Sequence, residues 1–264
     1  MDNTYWQIQN NKSPLYPDII WNQPENKYLA AKLLLIGGNS QTFNLMSEAY
    51  QKTLKTTSEF KIILPESLKK ILENFITNCY FLPETSSGSL ALKGLSTIEE
   101  LSEWSDGIVL IGNFGQNSET TILLEKLITQ LQQVITLTND AVDNLILQPS
   151  ILLKNTNHIL VLNIKQLQKL LLQMKFSQAI TSTMNLINFT NVLHNFTKLH
   201  DFHIITNFNE TIIVAVNGQL SITTIKNFKN WQTIIALQST IWLIQQPKKM
   251  FETLTTAVYS SIYD

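Results

Sequence analysis

Six short apolar runs follow one another along the chain, and most of them are followed by a stretch that favours a helix. The runs are unbroken and do not alternate with polar residues, which is typical of strands buried on both faces. They are Leu33–Ile36, Phe60–Leu64, Ile76–Leu82, Gly107–Ile111, Val134–Leu137 and His158–Leu162. This alternation predicts an α/β protein with a doubly wound, mostly parallel sheet and helices on both faces.

The helices between these runs have recognisable limits. The stretch Gln41–Thr56 is predicted to be helical, and Pro65 is predicted to open the next helix, "PESLKKILENF", because proline suits a first helical turn. The longest predicted helix is Ser177–Leu199, whose apolar residues form one stripe. Three further strands follow, the last two joined by a turn at Asn217–Gln219. Two helices come last in the prediction, Trp231–Gln245 and Lys248–Ile262.

Residues 1–31 differ from the remainder because they are polar and aromatic and contain three prolines. They predict an extended N-terminal arm laid on the domain. Residues 32–264 show no linker and no change in composition, so they predict a single domain. A chain of 264 residues is long enough to bury a sizeable core.

Charge limits the partners that this chain suits. With 19 basic and 20 acidic residues the formal net charge is −1, which gives no electrostatic footprint for nucleic acid or an anionic membrane. All the basic residues are lysine, so a phosphate must be held by backbone N–H, lysine or hydroxyl groups. No apolar run approaches ~18 residues and no leader-like start is seen, so we expect a cytoplasmic protein with no membrane association.

Cysteine and histidine give little support for reactive or metal sites. Cys79 is the only cysteine, which excludes an intrachain disulfide and a cysteine-based zinc site. Its apolar surroundings favour a buried small hydrophobe over a nucleophile. His200 and His203 bracket Asp201, but no third ligand is apparent and we expect no metal site.

The segment "IGGNSQ" is the first candidate binding element. Gly37, Gly38, Asn39 and Ser40 follow a strand and precede a helix, where open α/β sheets bind ligands and helix N-termini can hold anions. The pattern is neither a Walker A motif nor G-x-G-x-x-G. The alternative is that the glycines only form the bend after a buried strand.

Two later strand ends repeat this arrangement. Gly112, Asn113 and Gly115 follow one strand, and Asp140 follows the next. A carboxylate at that position can bind a hydroxyl group or a magnesium ion. The alternative, which we favour for Asp140 alone, is that Asn139 or Asp140 caps the following helix.

Taken together, these strand ends resemble the ADP-dependent NAD(P)H-hydrate dehydratases of the ribokinase-like carbohydrate-kinase superfamily. The likeness covers about Lys32–Tyr259 and rests on four motifs in order: I-G-G-S, P-E-S, G-P-G-L-G and D-A-D-A-L. The last helix, "FETLTTAVY", is also similar to the family's "FEAALLAVY". The matching residues are Gly37, Gly38, Ser40, Pro65, Glu66, Gly112, Gly115, Asp140 and Ala141. The resemblance implies a ribokinase-like fold, ADP or ATP with magnesium as cofactor, and assembly into homo-oligomers.

The catalytic motifs of that family are missing. In place of T-P-H-P-G-E the chain has "VLNIKQ", and in place of L-K-G it has "ITNFN". The G-S-G-D motif, which supplies the family's anion hole and catalytic aspartate, corresponds to "NFKNWQTIIALQ", with the aspartate position near Ile234. Without glycine the backbone cannot approach a phosphate, and without the carboxylate that site has no group to move a proton.

Three hypotheses follow from the sequence. The first is a catalytically inactive relative that keeps a ligand pocket or acts as a structural or regulatory partner, as a homo-oligomer or with an active paralogue. The second is an active, divergent ADP- or ATP-dependent dehydratase or small-molecule kinase. The third is a binding module for a nucleotide-like small molecule. A cavity filled by Phe43, Phe114 or Trp231 would favour a structural role.

Overall fold

The computed structural model describes residues 5–21, 31–57, 59–154, 157–181, 183–225 and 229–263. Ten strands in these residues form one sheet. They are β1 Trp6–Gln9, β2 Lys32–Gly37, β3 Glu59–Pro65, β4 Cys79–Leu82, β5 Gly107–Gly112, β6 Val134–Thr138, β7 His158–Leu162, β8 His203–Phe208, β9 Thr211–Val216 and β10 Gln219–Thr224.

The strand order is β1-β10-β9-β8-β7-β6-β5-β2-β3-β4. Strands β2 to β8 run parallel to one another, whereas β9 runs antiparallel to both of its neighbours, β8 and β10. This arrangement confirms the predicted α/β class and the mostly parallel sheet. The unbroken apolar runs have the predicted cause, since strands such as β5 and β7 are buried along their whole length.

Helices cover both faces of the sheet, as predicted. They are α1 Pro17–Trp21, α2 Asn44–Thr56, α3 Lys69–Leu72, α4 Leu95–Trp104, α5 Ser118–Gln130, α6 Asp140–Leu145, α7 Pro149–Leu152, α8 Ile164–Gln173, α9 Leu186–Leu199, α10 Trp231–Gln245 and α11 Met250–Tyr263. No helix in the described part of the chain is long and apolar enough to span a bilayer.

Alternate residues along the strands face opposite sides of the sheet and belong to two separate hydrophobic cores. Leu34 and Ile36 of β2 face the core under α4 to α9, whereas Leu33 and Leu35 face the core under α2, α10 and α11. Burial of apolar surface at this scale is the main force holding the helices to the sheet. The carboxyl ends of the parallel strands lie outside both cores, and the loops that follow these strands meet there.

The chain reverses its direction of growth beside β2. After β2 it adds β3 and β4 on one side, then returns to place β5 on the other side. Such a topological switch point forms a crevice at the carboxyl ends of the two strands that flank it, where open α/β sheets bind their ligands. Here those two ends carry Gly37 and Gly112.

Within residues 1–31, which were predicted to form an extended arm, a strand and a short helix are described. Strand β1 lies parallel to β10 at the edge of the sheet, and Ile19 of α1 packs with Trp242 and Ala257. The Gln9 side chain is buried and donates hydrogen bonds to the Thr223 hydroxyl at 2.7 Å and the Thr255 carbonyl at 2.9 Å. Residues 1–4 and 22–30 of the predicted arm lie outside the described residues.

Some predicted element limits are wrong. The longest predicted helix begins at Leu186 and not at Ser177, because the Asn185 side chain caps it by accepting a hydrogen bond from the Asn188 N–H at 2.9 Å. The preceding Gln178–Ile180 segment accepts hydrogen bonds from Gln168 of α8 and Asn195 of α9, and Ile180 is buried.

Two shorter elements also differ. Helix α2 starts at Asn44 and not at Gln41, because Asn39 and Thr42 close a tight turn through two backbone hydrogen bonds. After Pro65 the chain forms a short 3₁₀ turn that runs into α3, so that helix is only partly formed.

Candidate functional site

The first two strand-end loops meet at the switch point. The Gly38 N–H donates a hydrogen bond to the Gly112 carbonyl at 2.9 Å, and the register between β2 and β5 shifts after Ile36. A Cβ atom on Gly37 would lie 2.7 Å from the Gly112 carbonyl oxygen. Glycine is therefore required at position 37 because the ends of β2 and β5 approach each other too closely for a side chain.

The backbone N–H groups of the Gly-Gly loop are already occupied. Gly38 donates to Gly112, Asn39 to the Thr42 carbonyl at 2.9 Å, Ser40 to the Gly88 carbonyl at 2.8 Å, and Gln41 to the Asn39 side-chain oxygen at 3.0 Å. Four consecutive donors, three of them on the candidate residues Gly38, Asn39 and Ser40, thus have acceptors within the chain.

A loop from Pro83 to Leu90, here called the cover loop, lies on this site. The Asn39 side-chain amide donates to the Ser87 carbonyl at 3.1 Å and the Ser89 hydroxyl at 2.9 Å. Gly88 is so close to Ser40 that a Cβ atom on it would lie 1.7 Å from the Ser40 hydroxyl oxygen. The predicted site residues Asn39 and Ser40 therefore contact a segment of the chain that lies outside the predicted site.

At the end of β5, the polar side chains bind neighbouring backbone. Asn113 has a left-handed conformation with φ of 61°, and its side-chain oxygen accepts a hydrogen bond from the Leu45 N–H at 3.2 Å. It thereby serves the first turn of α2. The Gly115 N–H donates to the Asp140 carboxylate at 3.0 Å.

Asp140 does not cap the helix that it begins. The Asn139 side chain instead donates to the Ile111 carbonyl at 2.9 Å and the Thr233 hydroxyl at 3.1 Å, and neither residue makes a side-chain cap on α6. One carboxylate oxygen of Asp140, Oδ1, is buried without a hydrogen-bond partner among the described residues. The end of β6 is thus hydrogen-bonded to the end of β5 through the Asn139 side chain.

The environment of Asp140 disfavours its charged form. Burial raises the pKa of the carboxyl above its ordinary value of 3.8, and the nearby Asp143 adds to the rise. The backbone N–H groups of Gly115 and the two preceding residues lower the pKa but do not outweigh burial. Burial perturbs the pKa of structural carboxyls as well as that of catalytic ones, so the shift alone assigns no role to Asp140.

Helix α10 meets the carboxyl ends of β6 and β7 with polar, uncharged side chains. Gln232 donates to the Val161 carbonyl at 2.9 Å and to the Gln166 side-chain oxygen at 3.2 Å. Thr233 is fully buried and accepts the hydrogen bond from Asn139. Ile234, near the position at which the family resemblance places its catalytic aspartate, is half-buried in the first turn.

Three clefts in the described part of the chain are not lined by any of the candidate glycines. One of about 590 Å³ lies between Glu66 and Phe81, one of about 310 Å³ lies beside Gln116 and Lys169, and one of about 360 Å³ lies beside Asn10 and Tyr263. None of the three is lined by Gly37, Gly112 or Asp140. Phe114 is fully buried in the core, and Phe43 and Trp231 pack at the edge of the other core.

The residues present do not fit ADP or ATP with magnesium in this arrangement. The amides of the Gly-Gly loop have internal acceptors, and the first turn of α10 is tied to the strand ends by Gln232 and Thr233. In the described part of the chain no three histidine, cysteine, aspartate or glutamate side chains come close enough to hold a metal ion. A phosphate would have to displace groups of the chain itself.

Several residues of the strand-end region were missed by sequence reasoning. Asn117 caps α5 and donates to the Ser87 hydroxyl at 2.9 Å, and Gln166 forms a capping box with Asn163 while contacting Asp143. The capping signals were readable, since Asn at an N-cap with Gln three positions later is a known pattern. The second contact of each side chain depends on the tertiary fold.

Cys79 has the environment of an unreactive thiol. It is half-buried, packs against the core beneath α3, and burial raises the pKa of the thiol to about 12. His203 lies 3.8 Å from the Asp201 carboxylate and is buried, as is His158 on the neighbouring strand.

Comparison with known proteins identifies the fold. No family model matches the sequence, and no curated protein matches it at a significant level. A ribokinase-like superfamily protein from Enterococcus faecalis is similar in structure, with a TM-score of 0.73, 15% identity, and coverage of 99% of this chain and 88% of that one. The chain therefore has the ribokinase-like fold that its motifs predicted.

Two structures from Bacillus subtilis are also similar. YxkO matches with a TM-score of 0.61 at 12% identity, and an ADP/ATP-dependent NAD(P)H-hydrate dehydratase with a TM-score of 0.64 at 11% identity. Each match covers 94% of this chain and 87% of the other. The structural relatives thus include the dehydratase whose family the strand-end motifs resemble.

Proposed function

We propose that this chain is a catalytically inactive relative of the ADP-dependent NAD(P)H-hydrate dehydratases, with a structural or regulatory role. The observation that carries the proposal is the first turn of α10. There Gln232 and Thr233 hold the strand ends by hydrogen bonds, and residues 229–234 include no carboxylate. A proton cannot be moved at that position without an ionisable group of suitable pKa.

The occupied amides support the same proposal. An anion hole needs free backbone N–H groups aimed at the ligand. In the Gly-Gly loop these donors bind Gly112, Thr42, Gly88 and the Asn39 side chain. The loop thus uses groups that a phosphate would otherwise need, and one of them, the Gly38 N–H, joins the ends of the parallel strands β2 and β5.

The direct test is turnover of hydrated NADH with ADP or ATP and magnesium. We expect no turnover by this chain under conditions in which the Bacillus subtilis dehydratase is active as a matched control. Turnover above the uncatalysed rate that is lost on heat denaturation would overturn the proposal.

A second candidate function is an active, divergent dehydratase or small-molecule kinase that uses a different carboxylate. Asp140 favours it, because its carboxyl is largely buried, has a raised pKa, and has one oxygen without a partner among the described residues. This candidate requires that Asp140→Asn abolish turnover and that millimolar nucleotide with magnesium raise the melting temperature of the wild type. A binding module would show the stabilisation without turnover.

We further propose that residues 1–31 are an arm on a single domain of residues 32–264, and that the protein is cytoplasmic and self-associates or pairs with an active paralogue. The resemblance to an oligomeric family supports self-association. Native mass spectrometry that finds only monomer, with no copurifying partner, would contradict it.

A further inference from the structure

The cover loop is a compact unit with its own internal hydrogen bonds. The Thr85 N–H donates to the Ser89 carbonyl at 2.7 Å, and the Gly88 N–H donates back to the Thr85 carbonyl at 2.9 Å. Below them the Ala91 N–H donates to the Pro83 carbonyl at 2.9 Å and closes the base. These three bonds lie within the loop and its base and do not involve the surface on which the loop lies.

The hydrogen bonds described between the cover loop and the strand-end segments all run in one direction. The Ser40 N–H, the Asn39 side-chain amide and the Asn117 side-chain amide are donors. Their acceptors are oxygen atoms of the loop, namely the Gly88 carbonyl, the Ser87 carbonyl and hydroxyl, and the Ser89 hydroxyl, at 2.8–3.1 Å. The loop thus presents a group of oxygen acceptors to converging donors.

Such a group of acceptors is what a phosphate ester presents to a binding site. Backbone and side-chain amides that converge without a positive charge bind phosphate oxygens in other α/β proteins, and they suit a chain without arginine. Here the donors come from the ends of β2 and β5, at the switch point. The same donors can satisfy either the loop or a ligand, but not both.

We propose that the cover loop is an internal, autoinhibitory ligand of this strand-end site, and that a phosphate ester competes with it for Asn39, Ser40 and Asn117. The site is closed in the described conformation, and its affinity for phosphate is set by the cost of lifting the loop. The inference concerns the site discussed under the proposed function but needs no turnover, since it is tested by binding and amide exchange.

Two substitutions should lift the loop. Gly88→Ala places a methyl group where Ser40 lies, 1.7 Å from its hydroxyl oxygen, in a backbone conformation with φ of 77° that L-residues rarely adopt. Ser87→Ala is milder, since it removes only the hydroxyl that bonds to Asn117 and Thr85. Ser86→Ala is the matched control, because Ser86 is an exposed neighbour in the same loop.

Amide hydrogen exchange tests the loop. In Ser87→Ala we expect the Ser40 N–H to exchange about tenfold faster, the size expected for one lost hydrogen bond. The Asn39 N–H, which donates to Thr42 within its own turn, should keep its rate and report intact folding. Unchanged exchange at the Ser40 N–H in both variants would overturn the proposed role of the cover loop. If Gly88→Ala does not fold, the result for Ser87→Ala decides the question.

Calorimetric binding tests the ligand class, with inorganic phosphate, magnesium ADP and adenosine as probes. We expect phosphate and magnesium ADP to bind the opened variants at least about tenfold more tightly than wild type and Ser86→Ala, with adenosine unchanged. Adenosine gaining as much as ADP would overturn the phosphate assignment. Faster exchange at Ser40 without any gain in binding would overturn the proposed competition.

Discussion

The carboxylate of Asp140 accepts a hydrogen bond from the backbone N–H of Gly115 at 3.0 Å, which ties the end of β6 to the loop after β5. Asp140, which the family resemblance places in a ligand site, therefore also links two loops of the fold. Its hydrogen bond to Gly115 and its raised pKa each predict a measurable effect on stability.

Asp140→Asn should leave stability within about 1 kcal/mol of wild type, because the amide oxygen can still accept from Gly115. Asp140→Ala should lose about 1–2 kcal/mol, since it leaves that partly buried N–H without its acceptor. Urea unfolding of the three proteins at pH 7.5 measures both differences. An Asn variant as unstable as the Ala variant would contradict this role.

The pH dependence of Asp140 has a defined sign. Its folded-state pKa is raised above the ordinary 3.8, so its contribution to stability is present below that pH and is lost as the pH rises through the folded-state value. Wild type should therefore lose stability relative to Asp140→Asn between about pH 4 and neutral pH. A difference that stays constant across this range would show that burial does not perturb the carboxyl.

Gly37→Ala should destabilise the protein by about 2 kcal/mol or more, because the new methyl group would lie 2.7 Å from the Gly112 carbonyl oxygen, a backbone atom that cannot move freely. Gly94→Ala is the matched control, since its Cβ would meet a leucine methyl group at 3.2 Å. We expect the control to cost less than about 1 kcal/mol. Equal unfolding free energies for the two variants would contradict the proposed close approach.

His158 and His203 should make the protein sensitive to acid. Both are buried, and burial lowers the pKa of each below the ordinary 6.5, although Asp201 partly raises that of His203. The unfolded chain therefore takes up protons first, and stability should fall as the pH drops below about 6.5. The double variant His158→Gln/His203→Gln should show a flatter dependence of unfolding free energy between pH 7.5 and 5.

Cys79 should react slowly with thiol reagents. With a thiol pKa of about 12, only a very small fraction is thiolate at pH 8, and the thiolate is the reacting form. We expect reaction at least about 100-fold slower than a free cysteine, with full reactivity restored in urea. Because Cys79 is the only cysteine, the absorbance of a chromophore released by a thiol reagent measures the reaction of this residue alone.

The sequence predicted those elements best that carry local signals. Strand β7 and helix α10 have the predicted limits, because an unbroken apolar run and a uniformly apolar helix mark them. The N-terminus of α9 was wrong because the competing Asn185 cap lies inside a stretch that also suits a helix. Local preference could not decide between two acceptable starting points.

It could not be predicted from sequence that the polar groups of the candidate site are hydrogen-bonded to other groups of the chain itself. Asn39 and its acceptor Ser87 are 48 residues apart, and Asn139 and Thr233 are 94 residues apart. The glycines and Asp140 were recognisable as strand-end residues. That their donors and acceptors satisfy one another depends on the order of the strands, which brings separate loops to one edge of the sheet.

The burial of Gln9 has a consequence for the timing of synthesis. Its amide binds the Thr255 carbonyl, which is 246 residues further along the chain. At about 5–20 residues per second, a ribosome needs roughly 10–50 s between these two residues. During that interval β1 has neither β10 nor α11 to bind, so the Gln9 amide stays without its native acceptors.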